Sequence, residues 1–275
     1  KVWMHNLAEN LSTIRKAHDI SDIPKQTGKS AIILGAGPSI KYVNLKLLRR
    51  WNGIIVTCDR MIKPLLEQRV KPFASLTVDG SEKICDFFND PLVQKHLTTI
   101  KTVLNCQTTH PNVAKLIPLE SQCYFVGMWD NVFAEVSITR IFQELTDKKI
   151  MQTGANAGSA AWQLALFLEC STIGLLGIDF CYDTLTPEDT TYAETFRILS
   201  GGNQAKYLDY YKLATTWAGK QVLTDIMFLT YFKSLVPQLM EMKEKTKTYN
   251  LGEYSIIPVD AAEPMSLKKF LNSFS

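Results

Sequence analysis

The sequence lacks the short motifs that mark several enzyme classes. It has no Cys-x-x-Cys pair, no Gly-x-Ser-x-Gly nucleophile elbow and no His-Glu-x-x-His zinc motif. Of its four histidines, only His110 falls near a predicted strand end, where a turn or helix-start role before Pro111 is the alternative to catalysis. A Ser-His-Asp hydrolase and a zinc protease are therefore poorly supported.

Long apolar runs and basic tracts are also missing. The apolar runs fall short of the roughly 18 residues that span a membrane, so no transmembrane segment is predicted. The net charge is only +3, and no Lys/Arg cluster is interleaved with aromatic residues, which argues against a nucleic-acid partner. The six cysteines have no metal-ligand spacing, and several lie in strand-like apolar runs. Buried free thiols in a reducing, cytoplasmic location are the expectation.

The most informative stretch that is present covers residues 31–39, where four apolar residues precede a glycine turn. The apolar residues predict a buried strand, and a helix is predicted from about Ile40 to Trp51. A glycine turn before a helix N-terminus suits a phosphate, which indicates a nucleotide or nucleotide-sugar site. The predicted phosphate-binding turn consists of Gly35, Ala36, Gly37, Pro38 and Ser39.

Two better-known phosphate motifs do not fit this turn. The third glycine of the dinucleotide fingerprint would be residue 40, which is Ile40, and no Gly-Lys-Ser/Thr follows the turn. A plain strand-to-helix turn without a ligand therefore remains an alternative at this point.

Strands and helices alternate along the first two thirds of the chain. We predict strands near 31–35, 53–58, 73–78, 101–106, 121–126 and 172–178, and helices at about 41–51, 61–68, 89–97, 110–116 and 156–169. Strands written as continuous Val/Ile/Leu runs are typical of a parallel sheet covered on both faces. The predicted fold class is α/β, a mostly parallel Rossmann-like sheet with helical additions at both termini.

The remaining segments complete the predicted organisation. Apolar residues at helical spacing predict a helix over 2–17, and residues 183–203 are polar enough for a long loop or lid. Two helices at about 204–217 and 224–243, then a short strand and helix, end the chain. We expect one globular domain with three parts: an N-terminal helix and linker (1–28), a nucleotide-binding core (29–182), and a lid loop with packed C-terminal helices (183–275).

Polar residues gather where the predicted strands end. Asp59 follows the second strand, at about the distance from the glycine turn where an acidic residue often holds a ribose. Asp79, Asn105 and Asp179 end later strands, with Asp183 just beyond. Ligands bind at the carboxyl ends of strands in such sheets, so we expect these residues at one polar site. Each aspartate alone is equally typical of a turn or helix cap.

A second glycine loop, residues 153–159, opens an Ala-rich helix. Small residues there allow a ligand to approach the backbone, or allow the helix to pack closely on the sheet. Close packing is the stronger interpretation for Ala160 and Ala161. The candidate nucleotide-binding residues in the loop are Gly154, Asn156, Gly158 and Ser159.

These pieces together resemble a known superfamily, which groups archaeal 6-hydroxymethylpterin diphosphokinases with the motility-associated (Maf) flagellin glycosyltransferases. The resemblance runs over roughly residues 5–270 and is most specific at 31–39, 59–79 and 154–180, including Gly177-Ile178-Asp179. It implies a fold similar to that of bacterial sialyltransferases that use CMP-activated sugars.

The resemblance favours the glycosyltransferase branch. Val222-Leu223-Thr224-Asp225…Tyr231 and Asn250-Leu251-Gly252-Glu253 match patterns of that branch. It implies a nucleotide-sugar donor, most plausibly CMP-linked, a protein or glycan acceptor and no required cofactor. The branch commonly has a histidine in the loop after its Gly-x-Asp strand, and residues 181–203 contain none, which leaves the general base open. The candidate that would take the acceptor proton is a carboxylate, Asp179 or Asp183.

Two other functions stay open on the sequence. A 6-hydroxymethyl-7,8-dihydropterin diphosphokinase would bind ATP and Mg²⁺ through Asp79, but those enzymes carry Thr-Asp-x-Asp-Gly where this chain has Thr77-Val78-Asp79-Gly80, one carboxylate fewer. The third possibility is a non-catalytic nucleotide-binding protein. The sequence leaves the sugar, the acceptor and the oligomeric state open.

Overall fold

A computed structural model describes residues 2–154 and 156–274. Its strands are β1 (His18–Asp19), β2 (Ser30–Leu34), β3 (Ile54–Cys58), β4 (Ala74–Thr77), β5 (Lys101–Asn105), β6 (Gln122–Gly127), β7 (Ile150–Met151), β8 (Thr172–Leu176), β9 (Tyr211–Thr215), β10 (Gln221–Asp225), β11 (Lys247–Asn250) and β12 (Glu263–Pro264). All six predicted core strands are confirmed to within two residues at either end.

The α-helices are mostly short. They are α1 (Val2–Lys16), α2 (Ile62–Glu67), α3 (Cys85–Phe88), α4 (Pro91–Gln94), α5 (Pro111–Leu116), α6 (Ile138–Thr146), α7 (Ala157–Phe167), α8 (Ala193–Leu199), α9 (Gln204–Asp209), α10 (Ile226–Met242) and α11 (Leu267–Ser273). Short 3₁₀ helices cover Ile20–Asp22, Pro38–Tyr42, Leu45–Arg50, Asp59–Met61, Glu82–Ile84, Leu97–Thr99, Leu119–Ser121 and Pro187–Asp189.

Ten strands form one sheet in the order β1-β6-β5-β4-β3-β2-β8-β11-β12, with β7 beside β6. Every pairing in it is parallel. The chain runs outward from β2 to β6 and then returns to place β8 on the other side of β2. The strand order therefore reverses between β2 and β8, which is where open α/β sheets bind ligands. The predicted α/β fold class is confirmed.

The central strands are buried on both faces because their apolar side chains alternate between two layers of helices. In β2, Ala31 and Ile33 pack in one core cluster with Trp162 of α7. Ile32 and Leu34 point the other way, into a cluster with Leu65 of α2. This is why the strands are continuous apolar runs rather than alternating ones.

The segment after β8 differs from its prediction. The 183–203 region contains α8 as well as loop, and the predicted helix over 204–217 is wrong in its second half. Residues from Tyr211 form the antiparallel hairpin β9–β10 instead. The hairpin forms because Gly219, at φ +79°, makes the turn, and because Tyr211 and Leu223 on the two strands pack into one aromatic cluster.

Several smaller elements were not predicted, namely β1, α3, α6, β7 and β12. Two-residue edge strands carry too few side chains to give a periodic signal. The six cysteines are free thiols, and all but Cys85 are buried. Within residues 2–154 and 156–274, no helix combines the length and the apolar character that crossing a membrane requires. The proposed division into parts at 28/29 and 182/183 stays a prediction.

Candidate functional site

A cavity of about 630 Å³ opens at the carboxyl edge of the sheet, at the reversal between β2 and β8. The turns that follow β2, β3, β4 and β8 line it, together with the start of α7, the segment after β8 and part of α10. The predicted site residues that line the cavity are Gly35, Ala36, Gly37, Pro38, Asp59, Asp79, Asn156, Gly158 and Asp183.

The first glycine turn is built against the turn that follows β8. Gly35 donates its N–H to Leu176 O at 2.8 Å, and Gly37 donates to Gly177 O at 2.9 Å. A Cβ on Gly35 would lie 2.4 Å from Gly177 O, so only glycine permits the two backbones to approach. These two N–H groups are therefore engaged within the protein, and the turn contributes shape rather than a ring of free donors.

The helix predicted from Ile40 to Trp51 is wrong. Two 3₁₀ segments take its place, Pro38–Tyr42 and Leu45–Arg50, because Val43 adopts an extended conformation and the Asn44 side chain caps a new turn by accepting from Lys46 N. A single short 3₁₀ turn carries little of the dipole that the prediction required.

Ser39 and Asp179 form a buried pair beneath this turn. Ser39 donates its N–H to Asp179 Oδ2 at 2.7 Å and its hydroxyl to Oδ1 at 2.9 Å. Both residues are about 2% exposed and neither lines the cavity. Burial raises the pKa of Asp179 to about 6, although the two hydrogen bonds from Ser39 work in the opposite direction. The structure thus places this pair where it holds the turn.

The second glycine loop presents an α-helix N-terminus to the cavity. Asn156 caps α7, accepting from Ser159 N at 2.9 Å and donating to Ser159 Oγ at 2.7 Å. Ser159 and Gly154 therefore lie behind the cavity wall. The N–H groups of Ala157 and Gly158 belong to the first turn, which lacks intrahelical acceptors, and both residues line the cavity. Ala155, the remaining residue of this loop, lies outside the described residues.

The predicted acidic residues separate into two groups. Asp59 and Asp79 follow neighbouring strands and both line the cavity, and burial, with a smaller contribution from the charge of Asp79, raises the pKa of Asp59. Asp183 lies at the mouth and pairs with Lys41 at 2.7 Å. Asn105 is not in the cavity, because its Oδ1 accepts from Gln107 N and shapes the turn after β5.

The sequence analysis assigned no site role to Arg60 or to the aromatic residues of the cavity. Arg60 lines it, lies over the Phe87 ring at 5.6 Å and makes no ion pair with a described residue. Tyr182, Tyr192 and Tyr231 also line it, and we call their part of the lining the tyrosine side. Arg60 directly follows the predicted Asp59 and Tyr182 directly precedes the predicted Asp183, so the strand-end rule that found the aspartates could have found both. Tyr231 ends a pattern that matched the glycosyltransferase branch, whereas Tyr192 had no comparable signal.

The tyrosine side of the cavity is held by a buried carboxylate. Tyr182 donates its hydroxyl to Asp225 Oδ2 at 2.5 Å, and Asp225 also accepts from Phe228 N at the start of α10. Burial, together with Asp225, raises the pKa of Tyr182, so its hydroxyl stays protonated at neutral pH. The network joins the β8 edge to α10 through side chains at the cavity.

The cavity offers few side chains that could bind a metal ion. In the part of the chain that the structure describes, no three His, Cys, Asp or Glu side chains come close enough to hold an ion. Asp59 and Asp79 provide two carboxylates, which fits Mg²⁺ only in its usual mode, where substrate phosphates and water complete the shell.

A family model described as 6-hydroxymethylpterin diphosphokinase MptE-like matches residues 3–184. The chain belongs to this MptE-like family. The match includes the turns after β2, β3, β4 and β8 and the start of α7, and it ends just after Asp183. It leaves out the tyrosine side of the cavity beyond Tyr182. A comparison with curated proteins gave no match.

Solved structures show the fold of this MptE-like chain beyond the family match. The MAf glycosyltransferase from Magnetospirillum magneticum AMB-1 is similar over 96% of the chain, with 14% identity and a TM-score of 0.65. The chain spans only 38% of that protein. The sialyltransferase CstII from Campylobacter jejuni, solved with the substrate analogue CMP-3FNeuAc, matches over 85% of this chain and 88% of its own, with 15% identity and a TM-score of 0.39. The family model confirms the predicted relation to the 6-hydroxymethylpterin diphosphokinase-like proteins, and the MAf structure confirms the predicted fold.

Proposed function

We propose that the chain is a glycosyltransferase-like enzyme that takes a sugar from a nucleotide-activated donor and passes it to an acceptor hydroxyl. The observation that carries this proposal is that the α7 N-terminus and Arg60 line the same cavity at the β2–β8 reversal. N–H groups in the first turn of a helix and a guanidinium that pairs with no described carboxylate both favour the phosphate of a nucleotide.

Two comparisons support a transferase of this kind. The MAf protein, described as a glycosyltransferase, is similar in fold to 96% of this chain, including residues beyond the family match. The motifs of the sequence resemble the same branch. That resemblance makes a CMP-linked sugar the first donor to test, with a protein or glycan as acceptor.

The proposed mechanism assigns work to the residues that reach the cavity. The donor phosphate would lie at Ala157 and Gly158, and Arg60 would stabilise the negative charge that develops as the bond from the anomeric carbon to the phosphate oxygen breaks. Of the two candidate bases, Asp183 lines the cavity, whereas Asp179 is enclosed by Ser39. Asp183 would therefore take the proton of the attacking hydroxyl once Lys41 releases it.

The residues after β8 would exclude water from this reaction. Thr191 and Tyr192 line the cavity just before α8, and an aromatic cluster that includes Phe196 holds that helix on the hairpin. An activated sugar is hydrolysed easily, so a transferase benefits from a covered site.

Isothermal titration with CMP, UDP, GDP and ATP, each with and without Mg²⁺, tests the proposal. We expect metal-independent binding of one pyrimidine nucleotide, weakened about tenfold in Arg60→Ala, because one charge-assisted phosphate contact is worth roughly 1.5 kcal/mol or more. Arg50→Ala is the matched control, since Arg50 is exposed and does not line the cavity. Equal affinity in Arg60→Ala and Arg50→Ala would contradict the phosphate site.

One observation favours a second candidate, a diphosphokinase acting on a hydroxymethylpterin. Asp59 and Asp79 lie together at the ends of neighbouring strands, where they could share Mg²⁺ with ATP, and the family description names this activity. ATP binding that requires Mg²⁺ and is lost in Asp79→Asn would support it over the transferase. Donor binding with no turnover of any sugar would favour a non-catalytic protein.

A further inference from the structure

The helix α6 turns an apolar stripe away from the protein. Ile138, Ile141 and Leu145, spaced as neighbours on one helical face, are 50%, 47% and 40% exposed. The buried face of the same helix carries Thr139, Phe142 and Thr146. An amphipathic helix normally buries its aliphatic stripe, so this orientation indicates a surface that something else covers.

The loop before α6 adds a fixed apolar projection. Phe133 is 92% exposed and Val136 is 76% exposed. The loop is held by hydrogen bonds to two charged side chains, those of Asp130 and Arg140. The Asp130 carboxylate accepts from the N–H groups of Ile138 and Thr139 and from Ser137 Oγ, while Arg140 donates to the carbonyls of residues 134 and 135. The hydrogen bonds to Asp130, with that of the Thr139 side chain the largest cause, lower its pKa to about 2. The Asp130 and Arg140 side chains thus hold the loop in place, with Phe133 and Val136 exposed on it.

The first turn of α1 continues this surface. Trp3 packs on Trp129 with their ring centroids 5.3 Å apart, and Trp129 packs edge-on against Phe142. Arg15 donates to Leu145 O at 3.0 Å and joins α1 to the end of α6. α1 and α6 therefore lie side by side, and we call the exposed apolar side chains of residues 2–4 and 128–145 the α1–α6 patch.

The size of this patch matches what a stable dimer needs. Ten large apolar side chains in it are between 38% and 92% exposed. Since an aromatic side chain offers about 150–250 Å² and an aliphatic one less, ten side chains of this exposure leave an apolar surface on the order of 1,000 Å². Monomeric proteins rarely expose apolar patches above roughly 300–600 Å², and a stable interface buries about 800 Å² per partner.

We propose that the α1–α6 patch binds a second copy of this chain in a two-fold symmetric dimer. A two-fold interface brings the same patch from both subunits together, so the exposed apolar side chains of one copy would meet those of the other. Antiparallel α6 helices would place Ile141 near the axis, with Phe133 of each copy against the stripe of the other.

This interface would lie beside the candidate active site. Trp3 belongs to the α1–α6 patch and also lines the cavity. Dimer formation would thus cover the outer side of the residue that closes one wall of the cavity. The inference itself does not depend on which reaction the cavity performs.

Sedimentation equilibrium on the full chain and on Ile141→Glu tests the dimer. We expect a wild-type mass of twice 31.1 kDa at micromolar concentration, and a dissociation constant at least tenfold higher in Ile141→Glu. Leu213→Glu is the control, because Leu213 is 68% exposed on β9, outside the patch, and should leave the dimer intact. A monomeric wild-type protein, or equal dissociation constants for Ile141→Glu and Leu213→Glu, would overturn the proposal.

Oxidative cross-linking provides a second readout that does not rely on weakening the interface. Ile141→Cys should form a disulfide-linked dimer under mild oxidation, since identical residues near a two-fold axis lie close together. Leu213→Cys should remain monomeric on a denaturing gel. Cross-linking of both variants to the same extent would count against this interface.

Discussion

At the residue scale, Asp179 is a buried carboxylate under the glycine turn, and both of its oxygens accept hydrogen bonds from Ser39. The charged form of this carboxylate is destabilised, because burial removes it from water. Its pKa of about 6 therefore has a consequence for stability.

We predict that Asp179 makes the protein less stable as the pH rises from about 4 to about 6. The folded-state pKa, about 6, lies above the ordinary value of 3.8, so the folded protein binds this proton more readily than the unfolded chain in that window. The free energy of unfolding should fall by on the order of 2–3 kcal/mol across it. Urea unfolding of wild type and Asp179→Asn at several pH values measures the effect. The difference between the two proteins should change with pH in this window, and a constant difference would contradict the prediction.

Gly177 provides a second residue-scale prediction with a matched control. Gly177 has φ +71° and a Cβ there would lie 2.4 Å from Gly35 O, whereas Gly219 has φ +79° with no atom within 4 Å. Gly219→Ala should lower the free energy of unfolding by about 1–2 kcal/mol, which is the cost of a left-handed conformation for alanine. Gly177→Ala should lower it clearly more, because the backbones of Gly177 and Gly35 must also move apart. Chemical denaturation compares them, and equal losses would mean that the close approach carries no cost.

At the element scale, α1 is fastened to the sheet edge by two buried asparagines. Asn6 donates to Thr108 O at 2.8 Å, and Asn10 donates to Thr109 O at 2.8 Å. These bonds satisfy carbonyls in the turn after β5 that would otherwise be buried without a donor. The apolar spacing of α1 predicted the helix, while its anchoring by amides depends on a turn about a hundred residues away in sequence.

Asn10→Ala should therefore destabilise the protein by about 1–3 kcal/mol, the cost of leaving a buried carbonyl without its partner. Ser12→Ala, at an exposed position of the same helix, should change the free energy of unfolding by less than about 0.5 kcal/mol. Thermal and urea unfolding of both variants measure this. Similar small losses in the two would show that water satisfies the carbonyl.

The same scale explains the errors in the predicted elements. The helix predicted over 204–217 ends at Asp209 in the structure. Tyr211 packs against Phe196 and Tyr207, and the residues from Tyr211 form β9 instead. The helix expected over 41–51 breaks at Val43, where an extended residue precedes the Asn44 cap. In the first segment a side chain outside the helix, Phe196, helped decide the structure, whereas in the second the local Asn44 cap did so.

At the scale of the whole molecule, stability should be concentrated at the strand-order reversal. β2 and β8 are each paired on both sides and buried on both faces, whereas β1 and β12 are two-residue strands at the ends of the sheet. We predict the slowest amide hydrogen exchange in β2 and β8 and the fastest strand exchange in β1 and β12. Exchange measured by mass spectrometry on the intact protein tests this. Equal protection of the central and end strands would contradict it.

The sequence by itself determined the parallel sheet and one edge of the cavity. Continuous apolar strands and glycine turns depend on neighbours close along the chain, and parallel strands bring their carboxyl ends together whatever the details of packing. This is why the sequence pattern predicted Asp59, Asp79 and Asp183 at one site, and all three line the cavity. The outward stripe of α6 was not found, because the sequence pattern does not say which face of a helix meets the core.

Only the tertiary structure decided which of these groups are available. The N–H groups of Gly35 and Gly37 bond to the end of β8, and Asp179 is buried by its hydrogen bonds to Ser39. The α7 N-terminus and Arg60 line the cavity. Ser39 and Asp179, which form the buried pair, are 140 residues apart in sequence. The physical reason is that a buried polar group must find a partner wherever the fold brings one, and the local sequence does not record which partner that will be.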